Sequence, residues 1–135
     1  MKRIILLAFL CTTTLVMAQR INHVQEAIAN YDYEAALTLI AKEKPTIPLL
    51  LQKGKAQRGL GMNTEALSTY QEIIANDTAN TRAYIEAAEC CRSLAKYQQA
   101  LKYYEQALDL NPENKYVRIC LLYTSDAADD RISVD

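Results

Sequence analysis

Sliding the chain along itself until Ile47 lies on Thr81 sets residues 47–80 over residues 81–114 with side chains of like size in register. Gly54 falls on Ala88, Leu60 on Leu94, Ala66 on Ala100, Leu67 on Leu101 and Tyr70 on Tyr104. Ile73 falls on Ala107, and Asn76 and Thr78 fall where Leu110 and Pro112 stand. An earlier copy lies in YDYEAALTLI, where Tyr33, Ala36, Leu37 and Ile40 mirror Tyr97, Ala100, Leu101 and Tyr104. Its step to the next copy, from Tyr33 to Asn63, is shorter than the step from Asn63 to Tyr97. The shortening falls in the link KEKPTIP, in which Pro45 and Pro48 mark the break. A unit this small cannot bury its apolar face alone and must stack on its neighbours.

Each unit reads as two helices. Tyr84, Ala87, Ala88 and Cys91 follow the 3, 4, 7 spacing of an amphipathic helix, and so do Tyr97, Ala100, Leu101, Tyr104, Ala107 and Leu108. Asn111-Pro112 ends the second, because proline lacks an N–H and disfavours helical geometry in the residue before it. Three glycines and three prolines in 135 residues leave few turns for an all-β fold. Alanine on the apolar face has a packing reason. Ala88 or Gly54 faces Ala100 or Ala66 where antiparallel helices cross, so the backbones approach and Tyr104 or Tyr70 fills the adjoining hole. Gly61 suits the turn within a pair, where a left-handed residue is needed.

A period of about 34 residues with paired helices resembles the tetratricopeptide repeat family. The residues that carry the resemblance are Tyr84, Ala88, Ala100, Tyr104, Ala107 and Pro112. The resemblance implies an all-α, right-handed solenoid of about three repeats, at about residues 19–46, 47–80 and 81–114, with a fourth starting at 115. In this family the first helix of each pair lines a concave groove. Carried over position by position, that places Leu51, Lys55 and Arg58 beside Arg82, Ile85, Glu89 and Arg92 as the partner-binding residues. Two apolar side chains among charges suit an extended peptide or a helix. Some members clamp a terminal carboxylate with lysines and asparagines, but here the equivalent positions hold Lys55 and Glu89, which argues against a clamp.

Residues 1–18 read as a secretory leader. Lys2 and Arg3 precede an apolar run over residues 4–16, and Val16-Met17-Ala18 suits a signal peptidase. The run is shorter than the ~20 residues that a membrane span needs. Phe9 and Leu10 ahead of Cys11 argue against lipidation there. The implied location is the periplasm or another exported compartment of a Gram-negative envelope, with no membrane span once the leader is gone. Between Gln19 and Cys120, 12 basic residues balance 12 acidic ones, so no field favours nucleic acid. Asp77-Thr78-Ala79 resembles an O-glycosylation acceptor of exported bacterial proteins, and Asn76-Asp77-Thr78 spells an N-glycosylation sequon.

The residues argue against catalysis. His23 is the single histidine, with no second ligand at metal spacing, and it reads as a polar helix residue. Adjacent Cys90 and Cys91 diverge by about 100° on a helix and read as small hydrophobes. GKAQRGLG has its lysine in the wrong place for a phosphate loop and follows no strand. Glu86 and Glu89 read as a solvated helix face. No cofactor is expected.

After NKYVRIC the periodicity gives way, and CLLYTSDAADD resembles the conceptual translation of a sequencing adaptor. Residues 120–135 are therefore expected to be a non-native or disordered tail, the competing reading being an acidic tail with Asp126, Asp129 and Asp130. The chain is then a fragment of a longer array. The function expected is a non-catalytic, exported scaffold that binds a protein or peptide. The alternatives are an N-terminal docking module of a larger envelope enzyme or sensor, and a structural protein that self-associates through the unfinished last repeat, which is expected to expose Val117 and Ile119.

Overall fold

The computed structural model describes residues 1–133, so the last two residues of the expected tail, Val134 and Asp135, lie outside the described residues. Among the described residues seven helices follow one another: α1 (Lys2–Ala29), α2 (Tyr33–Ile40), α3 (Ile47–Gly59), α4 (Asn63–Asn76), α5 (Thr81–Ser93), α6 (Tyr97–Leu110) and α7 (Lys115–Ser133). No strand occurs among the described residues. The step from Ile47 to Thr81 is carried into the helix starts, since α3 to α5, α4 to α6 and α5 to α7 advance by the same distance along the chain. Neighbours in sequence pack on one another from α1 to α7, the arrangement of an all-α solenoid.

Within each pair the chain turns through one left-handed residue. Gly61 has φ 75°, as its place in the sequence predicts, and the same role falls to Ala95 at 57° and Tyr31 at 61°. The hydrogen bonding repeats as well. The N–H groups of Asp32, Met62 and Lys96 reach back to the carbonyls of Ala27, Gln57 and Cys91 at 2.8, 2.9 and 2.8 Å. This long backward reach is the Schellman closure, which satisfies a carbonyl that the helix end would otherwise leave open. Ahead of α5 and α7 the device is an asparagine cap. Asn80 accepts from the N–H of Ala83 at 3.1 Å, and Asn114, at the same place in the next repeat, accepts from Val117 at 3.2 Å.

The packing follows the small residues. Ala66, Ala88, Ala100 and Ala107 are fully buried together with Tyr104, and Tyr70 is all but buried. Tyr70, expected to fill a neighbouring hole, lies directly against Gly54: a Cβ there would stand 2.7 and 2.8 Å from the Cε1 and hydroxyl of Tyr70. A second close approach, invisible in the sequence, joins Gly59 at the end of α3 to Tyr33 at the start of α2, where a Cβ would stand 2.6 Å from the ring Cδ2. Two apolar clusters result. Val24, Ile28, Ala36 and Ile40 close on Leu49 and Ala56 of α3, while Leu50 of α3 joins the larger cluster that runs to α7.

Two stretches differ in extent from what the sequence suggests. α2 has 8 residues against 14 for α4 and α6, so the shortening expected in the link KEKPTIP falls in the helix before it instead. Its early end, before the link with Pro45 and Pro48, leaves a cleft of about 460 Å³ between Leu37, Ile40, Leu49, Leu50 and Pro45. At the other end helical order reaches further than expected, because α7 continues through residues 120–133. The reason is a stripe that the small residues disguise: Val117, Cys120, Thr124 and Ala128 recur at spacings of 3 and 4, and all four are buried. The Thr124 hydroxyl is satisfied within the helix by the Cys120 carbonyl at 2.6 Å.

α1 passes through Ala18 without a break. Residues 1–20 are exposed, and packing begins at Ile21, with Val24 and Ile28 buried. By length and composition α1 could cross a membrane, a test that signal sequences also pass.

Candidate functional site

The first helices of successive pairs stand side by side. Arg58 of α3 forms an ion pair with Glu86 of α5, and the hydroxyl of Tyr116 on α7 donates to Glu89 of α5 at 3.1 Å. The residues assigned to partner binding lie on this run of helices, Leu51, Lys55 and Arg58 on α3 and Arg82, Ile85, Glu89 and Arg92 on α5. Leu51 and Ile85 are half-buried and pack on the larger cluster, each leaving part of its surface outside.

The charges divide into two kinds. Arg58 is bound to Glu86, and Arg92 lies 3.1 Å from Glu89 on its own helix. Lys55 and Arg82 are exposed and belong to no ion pair among the described residues. Register explains the difference. One helical turn before Arg92 stands Glu89, whereas one turn before Arg58 stands Lys55, so Arg58 reaches across to the next repeat.

Glu89 is the meeting point of three helices. It accepts hydrogen bonds from Tyr104 on α6 and Tyr116 on α7 while it pairs with Arg92. Burial alone would raise its carboxyl, but the Tyr104 hydrogen bond, Arg92 and the Tyr116 hydrogen bond outweigh that and hold it below the usual carboxylate range. Tyr104 moves the other way: burial, then its bond to the ionised Glu89, keep the phenol protonated. Arg58 remains charged, because Glu86 more than offsets the cost of its burial. The expectation that Glu86 and Glu89 form a solvated face is therefore corrected. Each is committed to an arginine, and Glu89 to two tyrosines as well. The contacts of Glu86 with Arg58 and of Tyr116 with Glu89 are not legible in the sequence, since the partners lie 28 and 27 positions apart and match neither the helical period nor the repeat.

Elsewhere the chemistry is that of a packed helical chain. Cys90 and Cys91 are buried, and burial pushes the Cys90 thiol up to about 12 although Arg58 pulls the other way, so nucleophilic thiolate is suppressed. His23 is an exposed helix residue whose Nδ1 lies 3.9 Å from Glu26. Among the described residues no group of three His, Cys, Asp or Glu side chains could hold a metal. The GKAQRGLG segment is the end of α3 and the turn after it. Thr78 is exposed in the joint between α4 and α5.

Stacked antiparallel pairs with a fixed beat, a small-residue crossing and a continuous run of first helices define a helical-repeat protein. Residues 81–114 match the family model described as tetratricopeptide repeat. The chain as a whole has the fold of tetratricopeptide-repeat domains. The first such domain of human RPAP3 is similar with a TM-score of 0.78 at 21% identity, over 84% of this chain and 93% of that one. The first repeat domain of Spaghetti (RPAP3), solved with the HSP90 peptide SRMEEVD, gives 0.77 at 23% identity, over 82% and 91%. The Yersinia enterocolitica type III secretion chaperone SycD, solved with a peptide of the translocator YopD, gives 0.72 at 15% identity, over 89% and 95%. No curated protein matches the chain.

Proposed function

We propose that the chain is a non-catalytic scaffold that holds a protein or peptide against the face built from α3, α5 and the start of α7. The observation that carries this is the sorting of charge on that face. Arg58 and Arg92 are neutralised internally, while Lys55 and Arg82 are left exposed close in sequence to the half-buried Leu51 and Ile85. Unpaired cations beside partly exposed apolar side chains give a segment with acidic and apolar residues both steering and grip. The solved neighbours that carry peptides support the reading.

Export to a bacterial envelope is part of the same proposal. It is supported by the basic start at Lys2 and Arg3 and by an apolar segment that lies wholly outside the repeat packing.

Peptides selected from a display library on the immobilised chain test the face. Binding is expected to fall at least tenfold in Lys55→Glu combined with Arg82→Glu, two exposed positions that the fold does not use. Equal capture by parent and variant would remove this face from consideration. Self-association is the second reading, favoured by Tyr116 and Ile119, which are 56% and 55% exposed, whereas Val117, expected at the surface, is buried in the larger cluster. Sedimentation over a range of concentrations separates it from a monomeric binder.

A further inference from the structure

Cleavage after Ala18 would make Gln19 the first residue, and we propose that this residue then closes into pyroglutamate. The proposal rests on the leader reading and adds a modification site to it. Three observations meet at Gln19. The first is register. The step that carries Tyr33 of α2 to Asn63 of α4 also carries Met17 to Ile47, the first residue of α3, so the repeat begins where the leader ends. Removing residues 1–18 trims α1 close to the 13 residues of α3 and α5 and leaves the packed residues Ile21, Val24 and Ile28 in place. The second is freedom. Gln19 is exposed, and its side chain makes no hydrogen bond among the described residues, so it can fold back on its own amine.

The third is charge. A new amino terminus here places an ammonium at the positive end of the α1 dipole, beside Arg20 and above N–H groups that have lost their partners. The nearby carboxylate that could compensate, Glu43, is held by Arg20 at 2.6 Å. Ring closure removes this charge. The α-amine nitrogen attacks the Cδ carbonyl of the Gln19 side chain, the bond from Cδ to the side-chain nitrogen breaks, and that nitrogen leaves as ammonia with a proton from the amine. The product is a neutral five-membered lactam, and the step is intramolecular, with no oxidant or second substrate. A neutral terminus suits a helix start better than an ammonium does.

Full-length chain expressed in a Gram-negative host and recovered from the periplasm provides the test, by intact mass and stepwise amino-terminal degradation. The expected product has the mass of residues 19–135 less one ammonia and gives no degradation signal until pyroglutamyl aminopeptidase exposes Arg20. A chain that starts at Gln19 with a free amine overturns the lactam and leaves the leader standing. A chain that keeps residues 1–18, or is cut elsewhere, overturns both. Gln19→Ala is expected to be cut at the same bond with a readable amine, and a blocked terminus in that variant would also overturn the lactam.

Discussion

The ring of Tyr70 occupies the space that a methyl group on Gly54 would need, 2.7 and 2.8 Å from where its Cβ would stand. Alanine is normally the better helix residue by ~1 kcal/mol. Here overpacking of ~1–3 kcal/mol opposes that gain. Gly54→Ala is expected to destabilise the chain by up to about 2 kcal/mol in chemical denaturation. Combined with Tyr70→Leu it should cost less than the sum of the two single changes, because the obstructing ring is gone.

The three left-handed turn residues predict opposite signs for similar substitutions. Ala95 sits at φ 57° with a Cβ that this region penalises, so Ala95→Gly is expected to raise stability by ~1 kcal/mol. Gly61→Ala should lower it by ~1 kcal/mol through strain alone, since open space surrounds the position. A thermal melt of each variant checks both.

Asn80 joins two repeats by capping α5, and its own amide is held by Asp77 at 3.1 Å. Asn80→Ala is expected to cost ~1 kcal/mol, the usual effect of losing such a cap, and Asn80→Ser, which keeps an acceptor and a donor, much less. Equal losses for the two would show that the cap is not what holds α5.

Glu89 makes acid stability testable. Its carboxyl is depressed in the folded chain, so its contribution is complete above the unfolded carboxylate value of ~4.3 and is lost as pH falls through the lower folded value. Glu89→Gln is expected to be less stable than the parent near neutrality. The gap should narrow steadily below about pH 4.3. A gap that stays constant down to acid would mean that the ionised carboxylate adds nothing.

The sequence was most informative where contacts repeat. The common beat, the crossing alanines, the buried tyrosines and the left-handed Gly61 could all be read from residues that recur in register. What escaped notice belongs to single repeats. The Arg58 to Glu86 pair crosses between units because Lys55 occupies the turn where Arg92 has Glu89. Gly59 meets Tyr33 through the short first unit, which no other copy duplicates. The length of α7 was hidden because a stripe of Val117, Cys120, Thr124 and Ala128 is weak in hydropathy although it is buried. Among the candidate site residues, positions were legible, but which cations remain unpaired required side-chain geometry.

α3 faces two ways, with Leu49 and Ala56 in the cluster of α1 and α2 and Leu50 in the cluster that extends to α7. Among the described residues the first pair is thus joined to the remainder chiefly through α3, without the broad shared interior of the later units. Amide protons of α2 should exchange with solvent through a local opening well below the global unfolding energy, while those of α5 and α6 wait for complete unfolding. The chain is therefore a rigid block with a detachable lip, and that lip lies beside the amino terminus.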